Sequence, residues 1–296
     1  MNDLSIIIIS YNTRKITRKC IETIIHSLSY NSEIKAEIIV FDNASMDGSA
    51  SEIKNYNIHL KVIENKENIG FGRGNNHAVK QSTGKYLLFL NSDIEVLDDA
   101  IPKLFHFFTS KQNTFNFLGG KLFNKNMTPQ ASAGPYYSLP VIFGALFLGG
   151  DYYGLTRYSP NAIRQVGWVS GACFMCKKSD FDELGGFDKK IFMYMEEIDL
   201  FYRAQKSTMT IGFYPSARFI HLGSASSTKR TQPILHVYNG FLYLYRKHHS
   251  QLELNILKNM LQLKALVAIW IGRLTRNKYL IDTYEKAYHI AQEIRR

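Results

Sequence analysis

The sequence predicts an α/β fold: a parallel, doubly wound sheet with helices on both faces, followed by a C-terminal helical region. Two observations carry this expectation. Across the first 120 residues, short aliphatic runs alternate with stretches of helical periodicity, joined by short polar loops. From about Thr231 onward the strand pattern stops and only helical spacing remains. Repeated strand–helix units take right-handed crossovers, and in such sheets ligands bind outside the carboxyl ends of the strands. The expected division is a domain over residues 1–230 and a helical region over residues 231–296, in contact with a membrane or a second subunit.

The elements follow in order. Ile6–Ile9 is a continuous β-branched run, suited to a strand buried on both faces. Asn12 and Thr13 are suited to cap the next helix, whose Ile16, Cys20, Ile24 and Leu28 form an apolar stripe. Glu37–Phe41 predicts a second strand, ending at Asp42-Asn43, and Asp47-Gly48-Ser49 a turn into a short helix. Leu60–Glu64 predicts a third strand, followed by a glycine-rich turn from Asn68 to Gly74 and a helix over Asn75–Gln81. Tyr86–Leu90 predicts a fourth strand, ending at Asn91-Ser92-Asp93, with a helix over Asp98–Thr109. Pro129–Pro160 is rich in Gly, Pro, Tyr and Ser and predicts a long loop or lid. Gln165–Cys176 is strand-like, Phe181–Gly186 ends in a Gly-Gly turn, Met195–Gln205 is a helix and Thr210–Tyr214 a further strand.

Composition narrows the classes. The 296 residues are 45% hydrophobic and 13% aromatic, which argues against a disordered chain. A net charge of +11 suits a nucleic acid, an anionic membrane or a phosphorylated ligand. No nucleic-acid recognition motif accompanies it and the basic residues are dispersed, so nucleic acid is not expected as a partner. Cys173-Phe174-Met175-Cys176 has redox or zinc spacing but lies in an apolar run, so buried thiols are expected there. Met1–Leu4 carries no basic residue of a signal peptide. Val141–Leu148 and Ala265–Ile271 fall short of the roughly 20 residues that span a bilayer. A cytoplasmic protein is expected, with peripheral contact to the inner face of the plasma membrane as a refinement.

Four polar sites fall at predicted carboxyl ends: Asn12, Asp42, Asn68 and Asp93. Asp42 can accept a hydrogen bond from a pyrimidine N–H or a ribose hydroxyl, or simply close an Asx-turn. Asp93, beside Asn91 and Ser92, is the type of ligand Mg²⁺ or Mn²⁺ takes, or again a turn residue. The glycines from Gly70 to Gly74 match neither phosphate-loop nor dinucleotide spacing, so a tight turn is the plain alternative to a ligand contact. Glu196 and Glu197 open a helix, where they either act as a general base or only stabilise the helix dipole. Asp199 and Arg203 can pair at i, i+4. His221 could complete a metal site, although a lone His is more often a packed residue.

In this order the motifs resemble the family-2 inverting glycosyltransferases of GT-A fold, which implies a Rossmann-like mixed sheet with helices on both faces, and most closely the rhamnosyltransferase-like enzymes of bacterial surface polysaccharide synthesis. The resemblance covers about residues 2–225. Ile9-Ser10-Tyr11-Asn12 is similar to the family's nucleotide-binding loop, and Val40 to Ser49 to its second acidic motif, with Asp42 and Asn43. Asn68 through Asn76, including Gly70, is similar to the Asn-x-Gly turn of that subset. Asn91-Ser92-Asp93 stands at the Asp-x-Asp metal motif. Trp168–Ala172, with Gly171, and Gly185 to Asp188 are similar to the segment lining the sugar and acceptor site. Glu196 to Arg203 resembles the segment carrying the base, and His221 the late histidine near the metal. The resemblance implies a nucleotide-sugar donor, dTDP-rhamnose or a UDP-sugar, a glycan or lipid-linked acceptor, and Mg²⁺ or Mn²⁺. It implies Glu197 as base with Glu196 as the competing choice, and Arg203 within the donor site. Two departures stand out: Asn91 replaces the first Asp of the metal motif, and Glu197 replaces an Asp.

Three other classes compete. A non-catalytic sugar-nucleotide-binding module would bind donor without transfer. A sugar nucleotidyltransferase would carry a Gly-rich loop with Arg and Lys after the first strand, where Ser10-Tyr11-Asn12-Thr13 stands instead. Nucleic-acid binding rests on charge alone. Near the C-terminus, Leu257, Met260, Leu261, Leu263 and Leu266 through Trp270 are flanked by Lys258, Lys264, Arg273, Arg276 and Lys278. This pattern suits packing against the core or a subunit partner, or an interfacial helix near a lipid-linked acceptor.

Overall fold

The computed structural model describes residues 2–54, 60–223 and 231–293. The chain begins with β1 (Leu4–Ser10), α1 (Arg14–Ser29), β2 (Ala36–Asp42), α2 (Ser49–Ile53), β3 (Leu60–Glu64), α3 (Phe71–Lys80) and β4 (Tyr86–Asn91). It continues through β5 (Ile94–Val96), α4 (Ala100–Thr109), β6 (Phe117–Phe123), β7 (Ala133–Gly134), α5 (Leu139–Phe147), β8 (Arg164–Gln165), β9 (Trp168–Val169) and β10 (Cys173–Lys177). Last come α6 (Lys178–Glu183), α7 (Glu196–Lys206), β11 (Ile211–His221), α8 (Thr231–His248), α9 (Gln251–Leu274) and α10 (Lys278–Glu293). The expected boundary at residue 230 lies outside the described residues.

The main sheet runs β3-β2-β1-β4-β10-β6-β11-β5, with β8 paired to β11. β1, β2, β3 and β4 are parallel, as the alternating units predict. Beyond β4 the sheet becomes mixed. β10 is antiparallel to both β4 and β6, and β5 is antiparallel to β11. β7 and β9 form a separate antiparallel pair. All seven residues of β1 are buried. Its side chains alternate, Ile7 and Ile9 entering one core and Ile6 and Ile8 the other, as a strand covered on both faces requires.

Several sequence expectations are corrected. α3 starts at Phe71, so Gly72 and Gly74 lie within the helix and the turn ends at Gly70. Packing explains these glycines: a Cβ on Gly72 would sit 3.1 Å from Phe187 Cβ, and one on Gly74 3.2 Å from Phe41 Cδ1. The Gln165–Cys176 run is three short strands, broken at Gly167 and at Ser170-Gly171. β6 escapes the aliphatic pattern because Gly119 and Gly120 interrupt it. A Cβ on either would lie within 2.6 Å of Val169 or Phe219. The 129–160 segment is not an open lid. It contains α5, and Ala133 and Tyr158 exchange backbone hydrogen bonds across it. Thr13 is the N-cap of α1 without capping it by side chain; Asp47 Oδ2 accepts from Arg14 N at 2.9 Å instead.

The helices α8–α10 share a core with the sheet. Leu242, Tyr245, Leu257 and Ala287 belong to the same buried cluster as Ile7, Phe89 and Phe201. Tyr245 Oη donates to Tyr137 O, and Tyr238 Oη to Leu261 O. Polar anchors add to this. Asp199 of α7 is fully buried and accepts from Arg203 Nε at 2.8 Å, Lys247 Nζ at 2.8 Å and His248 Nε2 at 2.7 Å. Lys247 also reaches Asp188, as does Tyr243. The three cysteines are free and buried; burial pushes the Cys173 thiol up to about 12 and the Cys20 thiol well above its ordinary value.

Burial opposes the Asp199 charge, but His248, Arg203 and Lys247 together hold its carboxyl well below the usual range. A depressed carboxyl stabilises the fold above its unfolded-state value, about 3.9, and that stabilisation is lost as pH falls below it. Asp199→Asn should lower unfolding stability at neutral pH by roughly 3 kcal/mol, because two cations lose their buried partner. Denaturant titrations should show the gap to wild type narrowing as pH falls below about 4.

Candidate active site

The carboxyl ends of β1, β2 and β4 and the N-terminus of α7 converge on one side of the sheet. Ser10 is fully buried, and its Oγ bonds to the hydroxyls of Thr13 and Thr17. The Ser10 hydroxyl thus supports the loop. Tyr11 is half-buried beside it. Asn12 takes φ +52° and bridges to the next loop: its N–H donates to Ser45 Oγ and its Oδ1 accepts from Met46 N. Asp42 takes the turn role expected of it and keeps one oxygen open. Its Oδ2 closes an Asx-turn by accepting from Ser45 N at 3.0 Å, while its buried Oδ1 has no partner. A buried acceptor left open is costly unless a ligand donates to it.

The next group is structural. Asn43 Nδ2 donates to Asn68 Oδ1 at 2.8 Å and its Oδ1 accepts from Ile69 N at 2.9 Å, so its amide holds the turn. Asn68 Oδ1 also accepts from Gly70 N. Gly70 takes φ +86°, and a Cβ there would sit 2.3 Å from Phe192 O, so only glycine fits. Its close approach is to the 192 loop. Asn76 Nδ2 donates to Phe187 O at 2.8 Å and its Oδ1 accepts from Phe187 N at 2.9 Å. Asn43, Gly70 and Asn76 thus shape the crevice without presenting a free polar group to it. Arg203 is held in a similar way. Besides Asp199, its guanidinium donates to Leu184 O and Gly186 O, so it staples the Gly185-Gly186 turn to α7.

At the end of β4, Ser92 Oγ pairs with Thr13 Oγ1, joining the loops that follow β1 and β4. Asp93 is buried and its Oδ1 lies 3.3 Å from His221 Nε2. Asn91 Nδ2 lies 3.3 Å from the same nitrogen, and Asn91 Oδ1 is buried without a partner. Gln130, absent from the sequence expectations, fixes the ring. Its Nε2 donates to Asn124 Oδ1 and His221 O, so its Oε1 must be the atom 2.7 Å from His221 Nδ1. In the neutral ring this places the proton on Nδ1 and leaves the Nε2 lone pair beside Asp93 Oδ1. Among the described residues no group of three or more His, Cys, Asp or Glu could hold a metal. The donors at hand are one carboxylate, one imidazole and one amide oxygen without a partner. That set fits a divalent ion which draws its remaining ligands from a substrate or water.

The acids of α7 complete the crevice. Tyr194 and Met195 adopt φ +65° and +73° just before the helix, a strained pair. Gly240 of α8 makes room for it: a Cβ there would lie 2.5 Å from Met195 Cγ. Glu196 is buried and Glu197 half-buried, and each has an Oε2 without a partner. Burial, then the neighbouring Glu197 charge, pushes the Glu196 carboxyl well up. Burial also raises that of Glu197, opposed by backbone amides and by the Arg157 guanidinium. Gly171 lies over Glu197, where a Cβ would sit 3.4 Å from Glu197 Cβ. Burial, then the charges of Glu196, Asp93 and Glu197, raises the Tyr194 hydroxyl, which marks the convergence of these acids on one region. Trp168 is buried and stacked on Tyr137, with Arg157 over its ring and its Nε1 without a partner. Arg157, in the segment read as a lid, was the second residue the sequence did not single out.

The family model for glycosyl transferase family 2 matches residues 5–185. The N-acetylglucosaminyl-diphospho-decaprenol L-rhamnosyltransferase of Mycobacterium tuberculosis is 25% identical over 244 residues, covering 76% of this chain and 79% of that protein. The low-salt glycan biosynthesis hexosyltransferase Agl10 of Haloferax volcanii is 27% identical over 236 residues, 77% of this chain and 70% of that protein. Rhamnosyltransferase WbbL of Escherichia coli K12 is 27% identical over 187 residues, 60% and 71% of the two chains. Among solved structures, the mannosyltransferase PcManGT of Pyrobaculum calidifontis, in complex with GDP-Man and Mn²⁺, superposes with a TM-score of 0.59 at 12% identity. That match covers 99% of this chain and 76% of the mannosyltransferase. The fold is thus of GT-A type.

Replacing Asn76 by Ala should leave both backbone groups of Phe187 without their partners. About 2 kcal/mol of stability should be lost, read as a lower denaturation midpoint.

Proposed function

This chain is a member of glycosyl transferase family 2, and we propose that it transfers rhamnose from dTDP-rhamnose, with inversion, to a glycan or lipid-linked saccharide in surface polysaccharide synthesis. The observation that carries the proposal is the convergence of open acceptors on one crevice: Asp42 Oδ1, Glu197 Oε2 and the Asp93–His221 pair. The rhamnosyltransferase relatives support the donor sugar. The name of the mycobacterial relative supports a lipid-diphosphate acceptor. A UDP-sugar is the alternative donor, since Asp42 would meet an N3–H that uracil and thymine share. The transferase unit is assigned to residues 1–230, with residues 231–296 as a helical region that supports it.

In the proposed reaction the acceptor hydroxyl attacks the anomeric carbon as the bond to the nucleoside diphosphate breaks on the opposite face. Glu197 takes the hydroxyl proton on Oε2. A carboxyl raised by burial is a stronger base than an exposed one, which suits this step. Glu196 stays beside it as a second buried acid, its carboxyl pushed well up by burial and then by the Glu197 charge. Asp93 and His221 would hold Mn²⁺ or Mg²⁺, the imidazole favouring Mn²⁺, and the ion when bound neutralises charge on the leaving diphosphate. Gln130 orients His221, and Asp42 accepts from the base. Trp168 and Gly171 wall the sugar side and exclude water from Glu197.

Glu197→Gln should abolish transfer while dTDP-rhamnose still raises the melting temperature as in wild type; wild-type turnover would sink the assignment of the base. With the donor present, Mn²⁺ should add a further thermal stabilisation. This increment should vanish in His221→Ala and fall in Gln130→Leu, while metal-free stability changes less. An increment unchanged in His221→Ala would remove His221 from the metal site.

A further inference from the structure

We propose that the outer face of α9 and the segment following α5 form one docking surface for an anionic lipid bilayer. α9 buries Leu254, Leu257, Leu261 and Ala265 against the protein. On its other side Leu263, Leu266, Val267, Trp270 and Leu274 are between 39% and 65% exposed, a stripe at helical spacing. The helix is long and apolar enough to cross a membrane by length and composition. Its inner face, however, packs on α8 and α10, so it lies along a surface and does not cross it.

A second apolar feature adjoins the first. Lys264 Nζ donates to Leu146 O at 2.7 Å, fastening the end of α5 to the middle of α9. Immediately after α5, Leu148, Tyr152, Tyr153 and Leu155 are 62% to 87% exposed. Contiguous apolar surface of this kind marks an interaction site. Charge identifies the occupant. The stripe ends in Arg273, Arg276 and Lys278, all exposed, with Glu285 as the neighbouring acid, and the chain carries +11 overall. Basic residues beside an apolar stripe carrying Trp and Tyr suit the headgroup level of an anionic membrane. The same 151–157 segment carries Arg157, whose charge acts on Glu197, so the bilayer would lie close to the crevice. The proposal does not depend on which sugar is moved.

The test is flotation of the full chain with vesicles of phosphatidylcholine, with and without phosphatidylglycerol. Wild type should float with the anionic vesicles. Binding should weaken with pure phosphatidylcholine, and also as salt shortens the Debye length from about 10 Å to about 3 Å. Two double variants, Leu266→Asp with Trp270→Asp and Tyr152→Asp with Leu155→Asp, should each lose roughly tenfold or more of the bound fraction. Their circular dichroism and their donor-induced thermal shift should stay unchanged, which reads the transferase assignment separately. Three results would overturn the proposal: wild type that does not float with anionic vesicles; variants that float like wild type; or a dimer by light scattering that the α9 variant dissolves while no vesicle is bound, giving the face to a second copy.

Discussion

A carboxylate with no exposed surface cannot remain charged without close cationic partners, and Asp199 imposes that condition on the whole crevice. Its partners come from two elements, Arg203 from its own helix and Lys247 with His248 from α8. The pairing therefore fixes α7 against α8 and seats Gly240 under Met195. The strained residues Tyr194 and Met195 then aim Glu196 and Glu197 into the crevice. Two acids that open a helix would ordinarily face water and stabilise the dipole. Here the surrounding structure buries them, and burial makes their protons harder to remove. The helices that the sequence presents as an appendage are in packing terms part of the frame that holds these acids.

Much of the fold was legible because β1, β2 and β4 obey a simple rule: strands covered on both faces read as aliphatic runs. β3, a partly covered edge strand, also falls where the run Leu60–Glu64 places it. Legibility failed where glycine replaces side-chain burial with close backbone approach. β6 carries Gly119 and Gly120 to admit Val169 and Phe219, so no run announces it. α3 was shortened for the same reason, because Gly72 and Gly74 look like a turn until their neighbours are known. The mixed sheet came from the family resemblance, since the antiparallel pairing of β10 leaves no mark of its own on a five-residue apolar strand.

The crevice was legible in position and less so in role. Asp42, Asp93, Glu196, Glu197 and His221 do converge, because each lies at the end of a strand or the start of a helix on one side of the sheet. Asn43, Asn76 and Arg203 are polar as well, yet their partners are backbone groups and side chains of the protein itself. Composition cannot distinguish an amide that meets a ligand from one that clasps a loop. Gln130 and Arg157 were missed because they lie in an irregular segment without periodicity, where only the folded chain shows what they face. Asn91 is instructive in the same way. As a neutral side chain beside Asp93 and His221, it lowers the negative charge of the site and supplies an amide where a second carboxylate would repel the first.

The cap on α1 has a further consequence. Because Asp47 caps Arg14 and Asn12 clasps Ser45 and Met46, the first two loops of the crevice are a single interlocked unit with no independent end. Variation in either loop must therefore be matched in the other. A chimaera that borrowed only the segment around Asp42 from a relative with different base preference would inherit an uncapped helix along with its new specificity. The natural unit of exchange is the pair of loops, separated in the sequence by a whole helix and a strand.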